Sequence, residues 1–370
     1  INHTIKNLKK WMKTKKVRVE LYLQPSEGKI YYEPYGNTLI IAPWNYPFQL
    51  LMAPLIACIS AGNTAILKPS EVSEATEAIA EKIIEEIFDE SFVKLLKGGV
   101  KETSELLKLP FDKIFFTGSV PVGKIVMEAA SKNLTPVTLE LGGKSPVIVC
   151  EDANIDLAVS KIIWGKYNNA GQTCVAPDYV LVHKSVEKEF LEKAKNRIRE
   201  FYGENPKKSE DYGRIINERH TKRLHDLINY DKVIIGGEVD LEEKYIAPTI
   251  MSQVTLEDKI MEDEIFGPIL PVISYENINE VYGIIRKFSK PLALYLFTRS
   301  SQVEDEILRK ISFGGGGVNT TILHVASGKL PFGGVGPSGI GSYHGEAGFL
   351  DFSHKKSVLK QPSNFDLGLT

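Results

Sequence analysis

The stretch "TLIIAPWNYPFQLLMAPLIACISAGNTAILKPSE", residues 38–71, determines the fold class, because it holds two strand-like runs separated by one helix-like run. "TLIIAP" is typical of a buried strand, "PFQLLMAPLIACISAG" of a helix that ends at Gly62, and "TAILKPS" of the next strand. Two parallel strands need a crossover of this kind. The stretch therefore predicts a β-α-β unit on a parallel sheet.

The same alternation of strand-like and helix-like runs continues along most of the chain. A first unit closes near "PVTLELGGKSPVIVC" (residues 136–150), and a second α/β unit extends from about Asn154 to Ile340. Residues 17–36 alternate apolar and polar positions around a Pro-Ser-Glu-Gly turn, which predicts a β-hairpin. "KSVLKQP" (residues 356–362) predicts a strand near the other end of the chain. Strands isolated at both ends often pair across subunits.

Composition and charge exclude several classes of protein. The chain has 370 residues, of which 43% are hydrophobic and 25% charged, as in globular proteins with two or three structural units. A net charge of −2 gives no strong field for nucleic acid. The uncharged segment 34–67 is interrupted by Pro43, Pro47 and Pro54, which favours a buried strand and helix over a membrane span. We expect no nucleic-acid partner and no membrane anchor in this chain.

The three cysteines are Cys58, Cys150 and Cys174, and no two of them form a CxxC pair. Their odd number and wide spacing argue against a disulfide framework and against a zinc site, and we predict no metal. A reducing compartment is the default for such a chain, and we predict a cytoplasmic protein. Cys58 and Cys150 lie in apolar runs that are typical of core positions.

Cys174 lies in "NNAGQTCVAP", residues 168–177, among small and polar neighbours. It is either a packed thiol or a nucleophile, and a nucleophile needs a base and a stabiliser for the oxyanion. Glu140 in "VTLELGG" has an apolar setting that would hold a carboxyl near neutrality, although a salt bridge at a strand end is the alternative. Asn45 in "PWNYP" offers an amide to an oxyanion, or simply forms a turn.

Two further segments are candidates for nucleotide binding. "FFTGSVPVGK" (residues 115–124) places a glycine-rich turn between a strand and a helix, where backbone N–H groups meet phosphate oxygens. The spacing of Gly118 and Gly123 is not GxGxxG, so an ordinary strand-to-helix turn is equally consistent with it. Lys68 and Glu71 in "LKPSE" follow another strand and belong either to a ligand crevice or to a surface ion pair.

Taken in order, these segments resemble the aldehyde dehydrogenase superfamily over nearly the full chain. The matching series is "PWNYPF", "GNTAILKPSE", "FTGSVPVGK", "LELGGKSPVIV", "NNAGQTCVAP", "DEIFGPILP" and "LPFGGVGPSGIGSYHG". Within the superfamily, "APWNYPFQL" and the segment from "PFGGVG" to "FSHKKSV" are most similar to the class 3 group, which includes fatty and aromatic aldehyde dehydrogenases. Class 3 chains have more N-terminal helices before "INHTIKNLKKW" and a longer tail after "FSHKKSV" than this sequence has.

The resemblance implies a Rossmann-like parallel-sheet domain that binds NAD(P), a second α/β domain that carries the catalytic cysteine, and a small β arm for oligomerisation. The NAD(P)-binding domain would comprise residues 1–16 and 37–140, and the catalytic domain residues 141–340. Residues 17–36 and 350–370 would supply the bridging strands of a homodimer.

The resemblance also implies a reaction. Cys174 would add to an aldehyde carbonyl, and the Asn45 amide and the Cys174 backbone N–H would hold the oxyanion of the thiohemiacetal. Hydride would then leave for the nicotinamide. Water activated by Glu140 would hydrolyse the resulting thioester to a carboxylic acid. A cysteine-dependent esterase and a catalytically silent relative are the alternatives.

The same resemblance assigns the cofactor contacts. Lys68 and Glu71 would hold the adenosine ribose, and Glu264 the nicotinamide ribose, with Phe266 beside the nicotinamide. Residues near the pyrophosphate would be Gly118, Ser119 and Gly123. Glu71 would repel a 2′-phosphate and so favours NAD, whereas Lys68 would accept that phosphate and leaves NADP possible.

Overall fold

The structure is a computed structural model and describes residues 1–365, which form two large sheets, one small three-stranded sheet and the helices that cover them. The helices are α1 (Asn2–Trp11), α2 (Pro47–Ser60), α3 (Glu74–Ile87), α4 (Val100–Leu106), α5 (Val120–Ser131), α6 (Ile155–Tyr167), α7 (Lys184–Tyr202), α8 (Glu218–His225), α9 (Ile278–Ile285), α10 (Ser301–Lys310) and α11 (Gly345–Asp351).

The strands follow the same chain order. They are β1 (Lys15–Val17), β2 (Glu27–Pro34), β3 (Asn37–Ile41), β4 (Thr64–Lys68), β5 (Val93–Leu95), β6 (Lys113–Thr117), β7 (Val137–Glu140), β8 (Pro146–Val149), β9 (Tyr179–His183), β10 (Val233–Ile235), β11 (Val239–Asp240), β12 (Tyr245–Ile246), β13 (Thr249–Met251), β14 (Ile269–Tyr275), β15 (Ala293–Phe297), β16 (Gly315–Val318), β17 (Gly339–Ile340) and β18 (Ser353–Lys360).

The first large sheet confirms the predicted β-α-β unit. Its six strands lie in the order β17-β7-β6-β3-β4-β5, and the five strands from β3 to β7 are parallel. β3 and β4 pair directly, with Ile41 opposite Lys68, and α2 crosses between them. Leu39 and Ile40 are fully buried, as expected for a strand that is covered on both faces. Only β17, which comes from far along the chain, is antiparallel to its neighbour β7.

The second large sheet has seven strands in the order β10-β13-β14-β9-β8-β15-β16, and all neighbours except β10 and β13 pair in parallel. The first unit was expected to close near the segment 136–150, with the boundary after residue 140. The segment divides between the sheets, because Val137–Glu140 lies in the first sheet and Pro146–Val149 in the second. This short connection places the end of β7 beside both sheets, and the α/β fold class is as predicted.

The small sheet differs from the hairpin that was predicted for residues 17–36. β1 ends at Val17 and is followed by a turn of 3-10 helix at Leu21–Leu23, so only the second half of the predicted hairpin is a long strand. That strand, β2, pairs with β1 on one side and along its whole length with β18 on the other. The local pairing with β1 is short, and most of the pairing of β2 is the long-range one with β18. Residues 366–370 of the expected arm at 350–370 lie outside the described residues.

The two cysteines that were assigned to the core are buried. Cys58 on α2 has no exposed surface and Cys150 has 6%. Both belong to the larger of the two hydrophobic clusters, which also contains the central strands of the second sheet. None of the helices within residues 1–365 has both the length and the apolar composition needed to cross a bilayer.

Candidate active site

Cys174 lies on a loop whose shape depends on backbone conformations that most residues avoid. The loop follows α6, and three successive residues, Asn169, Ala170 and Gly171, have φ of +52°, +51° and +73°. Gly171 is required there, because a Cβ atom would lie 2.3 Å from the carbonyl oxygen of Gly267. The tight turn brings the cysteine out of the helix and toward the junction of the two sheets.

Gln172 fixes this loop with its side-chain amide. Its Nε2 donates to the carbonyl oxygens of Asn169 and Arg214, each at 3.0 Å, and its Oε1 accepts from the backbone N–H of Ile216 at 2.9 Å. The side chain is 3% exposed. A buried amide whose donors and acceptor are bonded holds one conformation of the surrounding backbone. This fixes the loop that carries Cys174.

The segment before α2 is tied to the same loop. Asn45 donates from Nδ2 to the carbonyl oxygen of Gln172 at 3.0 Å, and Asn169 donates to the carbonyl oxygen of Asn45 at 2.9 Å. An amide NH₂ carries two hydrogens, so Asn45 keeps a second donor beside Cys174. Tyr46, whose role was left open, shares a 2.8 Å hydrogen bond with Thr173.

Glu140 is the last residue of β7 and is 3% exposed. Within residues 1–365 neither of its carboxyl oxygens has a hydrogen-bond partner. Burial raises its pKa well above the usual value for a glutamate, and the negative charge of Asp351 adds to this effect. The deprotonated form of such a carboxyl is a stronger base than an ordinary glutamate.

The Cys174 thiol is also held in its neutral form. Burial raises its pKa to about 12, and the neighbouring carboxylates of Glu264 and Glu140 add to the increase. Backbone N–H groups of Cys174 and Val175 act in the opposite direction. These are the donors that an oxyanion at this position would meet.

Two cavities meet at these residues, and both are lined by Cys174 and Glu140. We call the first, of about 170 Å³, the aldehyde cavity, after the ligand that the sequence resemblance predicts beside Cys174. Its walls are mainly apolar and are formed by residues that include Leu292, Ile322 and Phe332. We call the second, of about 230 Å³, the dinucleotide cavity, because residues that the resemblance assigns to the cofactor line it.

The dinucleotide cavity collects most of the residues that were proposed for the cofactor. It is lined by Gly118, Ser119, Glu264 and Phe266, together with Asn45. Lys68 and Glu71 do not line it, although Lys68 ends the neighbouring strand β4 at the same edge of the sheet. The two side chains lie 3.9 Å apart. Burial lowers the pKa of Lys68.

Gly123 does not line the dinucleotide cavity. It is buried within α5, and a Cβ atom there would lie 2.7 Å from Cδ2 of Leu141. The glycine therefore allows α5 to pack against the sheet. Its predicted approach to the pyrophosphate stays a prediction.

Glu264 enters the dinucleotide cavity through a gap that a glycine leaves. A Cβ atom on Gly142 would lie 2.0 Å from Oε2 of Glu264, so only glycine admits the carboxyl there. Burial raises the pKa of Glu264 to about 8, with a further contribution from Asp178, while the backbone of Gly143 hydrogen-bonds it and acts in the opposite direction.

Several residues of the site had no role in the sequence analysis. Trp44 packs edge-on against Phe266 at 5.5 Å, and His220 and Arg223 of α8 line the dinucleotide cavity. Arg223 donates to the carbonyl oxygen of Ile265 at 2.6 Å. His220 and Arg223 lie more than 40 residues in sequence from every other residue that lines the cavity, and the polar surface pattern of α8 gives no local signal of a site.

Two histidines lie near the aldehyde cavity. His344 lines it and stacks on Phe332 at 5.2 Å, and the ring of His324 lies 6.2 Å from that of Phe332. Burial lowers the pKa of His324 to about 4, so this imidazole is neutral at physiological pH. In the described part of the chain, no three His, Cys, Asp or Glu side chains are grouped so that they can hold a metal ion.

Comparison with known proteins places this arrangement in a family. The sequence model of the aldehyde dehydrogenase family matches residues 3–358. The chain is 50% identical over 366 residues to 4,4′-diaponeurosporen-aldehyde dehydrogenase of Staphylococcus aureus, covering 98% of this chain and 80% of that protein. It is 47% identical over 359 residues to the dimeric NADP-preferring aldehyde dehydrogenase of Mus musculus, covering 97% and 79%. The solved substrate-bound state of Staphylococcus aureus AldH superimposes with a TM-score of 0.96 at 50% identity, over 99% of this chain and 80% of that one.

Proposed function

The chain belongs to the aldehyde dehydrogenase family and is an NAD(P)-dependent enzyme that oxidises aldehydes, and from this premise we propose that Cys174 is its nucleophile. One observation carries the proposal: the thiol lies where the aldehyde cavity and the dinucleotide cavity meet. A group in that position contacts ligands from both sides. Neither Cys58 nor Cys150 lines either cavity.

Asn45 and Glu140 are proposed as the partners of the sulfur. As the sulfur bonds to the carbonyl carbon, the thiol proton passes to Glu140 and from there to solvent. The carbonyl oxygen becomes an oxyanion, and the second Asn45 hydrogen and the Cys174 backbone N–H stabilise it. Hydrolysis of the thioester then needs a water molecule that has lost a proton. Glu140 accepts that proton, because it has no other partner among residues 1–365 and its raised pKa favours uptake.

The dinucleotide cavity fits the cofactor by its shape and donor set. Because Gly142 has no side chain, the carboxyl of Glu264 fits into the space beside it. We propose that Glu264 holds the nicotinamide ribose, that Phe266 flanks the ring, and that Gly118 and Ser119 approach the phosphates. Lys68 and Glu71 hold the adenosine ribose. NAD(P), when bound, supplies the hydride acceptor.

The preference between the two dinucleotides is proposed from charge. Lys68 is surrounded by carboxylates, because Glu71, Glu77 and Glu102 all act on it electrostatically. A 2′-phosphate entering there meets more negative than positive charge, which favours NAD. The mouse relative is NADP-preferring by name, so NADP stays the alternative.

We propose an apolar aldehyde as the substrate. Most of the exposed wall of the aldehyde cavity is apolar, and its hydrophobic lining residues are Leu50, Leu141, Val175, Leu292, Ile322, Val325 and Phe332. An apolar wall of this kind binds alkyl or aryl groups through burial of their surface.

The three-stranded sheet and the edge of the second large sheet are proposed to join two copies into a homodimer. The two large sheets then correspond to a dinucleotide-binding domain and a catalytic domain, with the boundaries given above. The cytoplasmic location stays a prediction from cysteine usage.

Substituting Cys174 by alanine tests the proposed nucleophile. We expect C174A to lose aldehyde-dependent NADH formation by at least 10³-fold, since no other thiol lines either cavity. Binding of NAD, measured by quenching of protein fluorescence, should be retained. C150A, which removes a buried thiol remote from the cavities, is the control and should keep its turnover. Equal turnover in C174A and the unmodified protein would remove the assignment.

A further inference from the structure

Behind Glu140, on the same face of the first sheet, lies a buried ion pair that the reaction described above does not use. Lys113 donates from Nζ to Oδ1 of Asp351 at 3.4 Å, and Thr138 donates from Oγ1 to Oδ2 at 2.7 Å. The side chains of Lys113 and Asp351 are 5% and 11% exposed. Buried charges are costly, so a pair held this far from solvent requires an explanation.

The register of the strands places this pair in line with the catalytic carboxyl. Thr138 and Glu140 are two residues apart on β7, so both side chains project from one face, roughly 7 Å apart along the strand. On β6, Phe115 lies opposite Thr138 and Thr117 lies opposite Glu140. Because side chains alternate, Lys113 belongs to this face as well. Lys113, Thr138 and Glu140 therefore form a row on this face. Asp351, at the end of α11, caps the row by contacting Lys113 and Thr138 at the end away from Glu140.

A glycine leaves room for this contact. β17 pairs with β7 so that Gly339 lies opposite Glu140, and Gly341 comes opposite Thr138 two residues later. A Cβ atom on Gly341 would lie 3.0 Å from Oγ1 of Thr138 and 3.1 Å from Oδ1 of Asp351. Both carboxylate oxygens of Asp351 are thus fixed by side-chain donors, and its charge has one location relative to the base.

We propose that Asp351 is a positioning residue for the general base: its carboxylate, fixed by Thr138 and Lys113, opposes ionisation of Glu140 and so strengthens the base that activates water. The inference rests on the proposed function, because it takes Glu140 as that base. The physical link is Coulomb repulsion through a protein interior, where like charges interact more strongly than in water. The cationic partner Lys113 lies farther along the strand face from Glu140 than Thr138 does. Asp351 is bonded to Thr138, so the negative end of the ion pair is the nearer one. The same repulsion raises the pKa of Glu140 beyond what burial alone does.

Other titratable groups also surround Glu140, and the test has to separate Asp351 from them. Tyr343 and Cys174 interact with it electrostatically. The remaining ionisable residues that line the two cavities are Tyr46, His344, His220, Arg223 and Glu264. None of these lies on the strand face that Asp351 caps, and each stays unchanged in the variants below.

The test is the pH dependence of cofactor-free ester hydrolysis, measured with 4-nitrophenyl acetate on D351N. Hydrolysis needs Glu140 deprotonated, so the rate rises with pH through the pKa of Glu140. Loss of the Asp351 charge lowers that pKa, and we expect the acidic limb of the profile to move down by about one pH unit. D351E keeps the charge and should restore the original limb. D351S is a second neutral variant that occupies less space, and it should behave as D351N does.

A matched control separates this effect from loss of a structural ion pair. Asp258 accepts from Nζ of Lys232 and from the backbone N–H of Thr255, each at 2.6 Å, and it lines neither cavity. D258N should lower thermal stability without moving the limb. A limb that stays in place in D351N and D351S, with the rate lowered equally at every pH, would overturn the inference.

E140Q distinguishes this failure from failure of the proposed function. If E140Q hydrolyses the ester with the original pH profile, Glu140 is not the base and the proposed mechanism falls with the inference. If E140Q is inactive while D351N keeps the original limb, only the inference about Asp351 is wrong.

Discussion

At the scale of single residues, the site depends on side chains that are buried without the partners that burial usually demands. Glu140 has no hydrogen bond within the described residues, and Cys174 is a thiol whose pKa is raised to about 12. Each arrangement costs free energy of folding, because a polar group loses water and gains little in return. Such groups are typical of positions that are selected for reaction with a ligand.

Gly142 gives a prediction at this scale. In G142A the new Cβ atom would lie 2.0 Å from Oε2 of Glu264. This distance is too short for two non-bonded atoms, so the carboxyl of Glu264 has to move away. We expect NAD to bind about tenfold more weakly or worse, which titration calorimetry measures, since a hydrogen bond to a charged group contributes roughly 1.5–3 kcal/mol. Cofactor-free ester hydrolysis should change little.

The control for G142A is G283A. Gly283 is exposed on α9, and a Cβ atom there meets no heavy atom within 4 Å. This variant should bind NAD as the unmodified protein does and should be slightly more stable, by roughly 0.4–1 kcal/mol. Unchanged NAD affinity in G142A would mean that Glu264 does not hold the cofactor.

At the scale of elements, the site is built where short connections leave strands and helices. Asn45 follows β3, Glu140 ends β7, and Cys174 follows the turn after α6. The ends of parallel strands at one edge of a sheet are a general location for ligand sites. Here the loop from α6 brings the second half of the chain to that edge.

The turn before Cys174 supports a prediction about stability. Gly171 and Gly203 both have positive φ, +73° and +76°. A Cβ atom on Gly171 would lie 2.3 Å from a backbone oxygen, whereas on Gly203 it would meet nothing within 4 Å. We expect G203A to cost about 1 kcal/mol, the strain of the conformation alone. G171A should cost about 2 kcal/mol or more and should abolish turnover, because the loop has to move.

Scanning calorimetry of the two variants measures this difference, with NADH formation recorded in parallel. A melting temperature for G171A equal to that for G203A would show that the contact with Gly267 does not constrain the loop.

The elements were more predictable from sequence than the contacts between them. The apolar runs of β3 and β4 and the Gly62 stop of α2 are local patterns, and the parallel sheet follows from them. The partner of β2 was not predictable, because β18 lies more than 300 residues away along the chain. The same holds for Thr138 and Asp351, which are 213 residues apart. Local periodicity holds no information about such pairs.

The residues of the site show the same difference between what a local pattern predicts and what depends on long-range contacts. The residues around Cys174, Glu140 and Asn45 stood out because polar groups interrupted apolar segments. His220 and Arg223 did not stand out, since they lie on a helix whose polar residues resemble those of any solvated surface. Only the fold places that helix at a cavity.

At the scale of the whole molecule, two of the edge strands in the described chain bear on assembly. β18 borders the three-stranded sheet, with seven of its eight residues exposed, and β16 borders the second large sheet. Open edges with apolar side chains favour association with another chain. Val358 and Leu359 on β18 are 39% and 48% exposed.

These edges support a prediction about assembly. Light scattering of the eluted protein should give twice the chain mass of 41.2 kDa. The double variant V358K/L359K places two charges on the edge strand and should elute as the single chain. L241K, which charges an exposed leucine in the turn after β11, should stay dimeric. A single-chain mass for the unmodified protein would contradict the homodimer.

The strand β17 has a consequence for how the molecule is made. It closes the first sheet next to Glu140, yet it is translated about 200 residues after β7. Asn63, which directly precedes β4 of the same sheet, also bonds to a residue that is translated much later, because its side-chain amide donates to the carbonyl oxygen of Phe352. A nascent chain on the ribosome can assemble β3 to β7 early, but the neighbour of β7 at the Glu140 position is missing until β17 has emerged. The surroundings of Glu140 are therefore completed only after about 200 further residues have been translated.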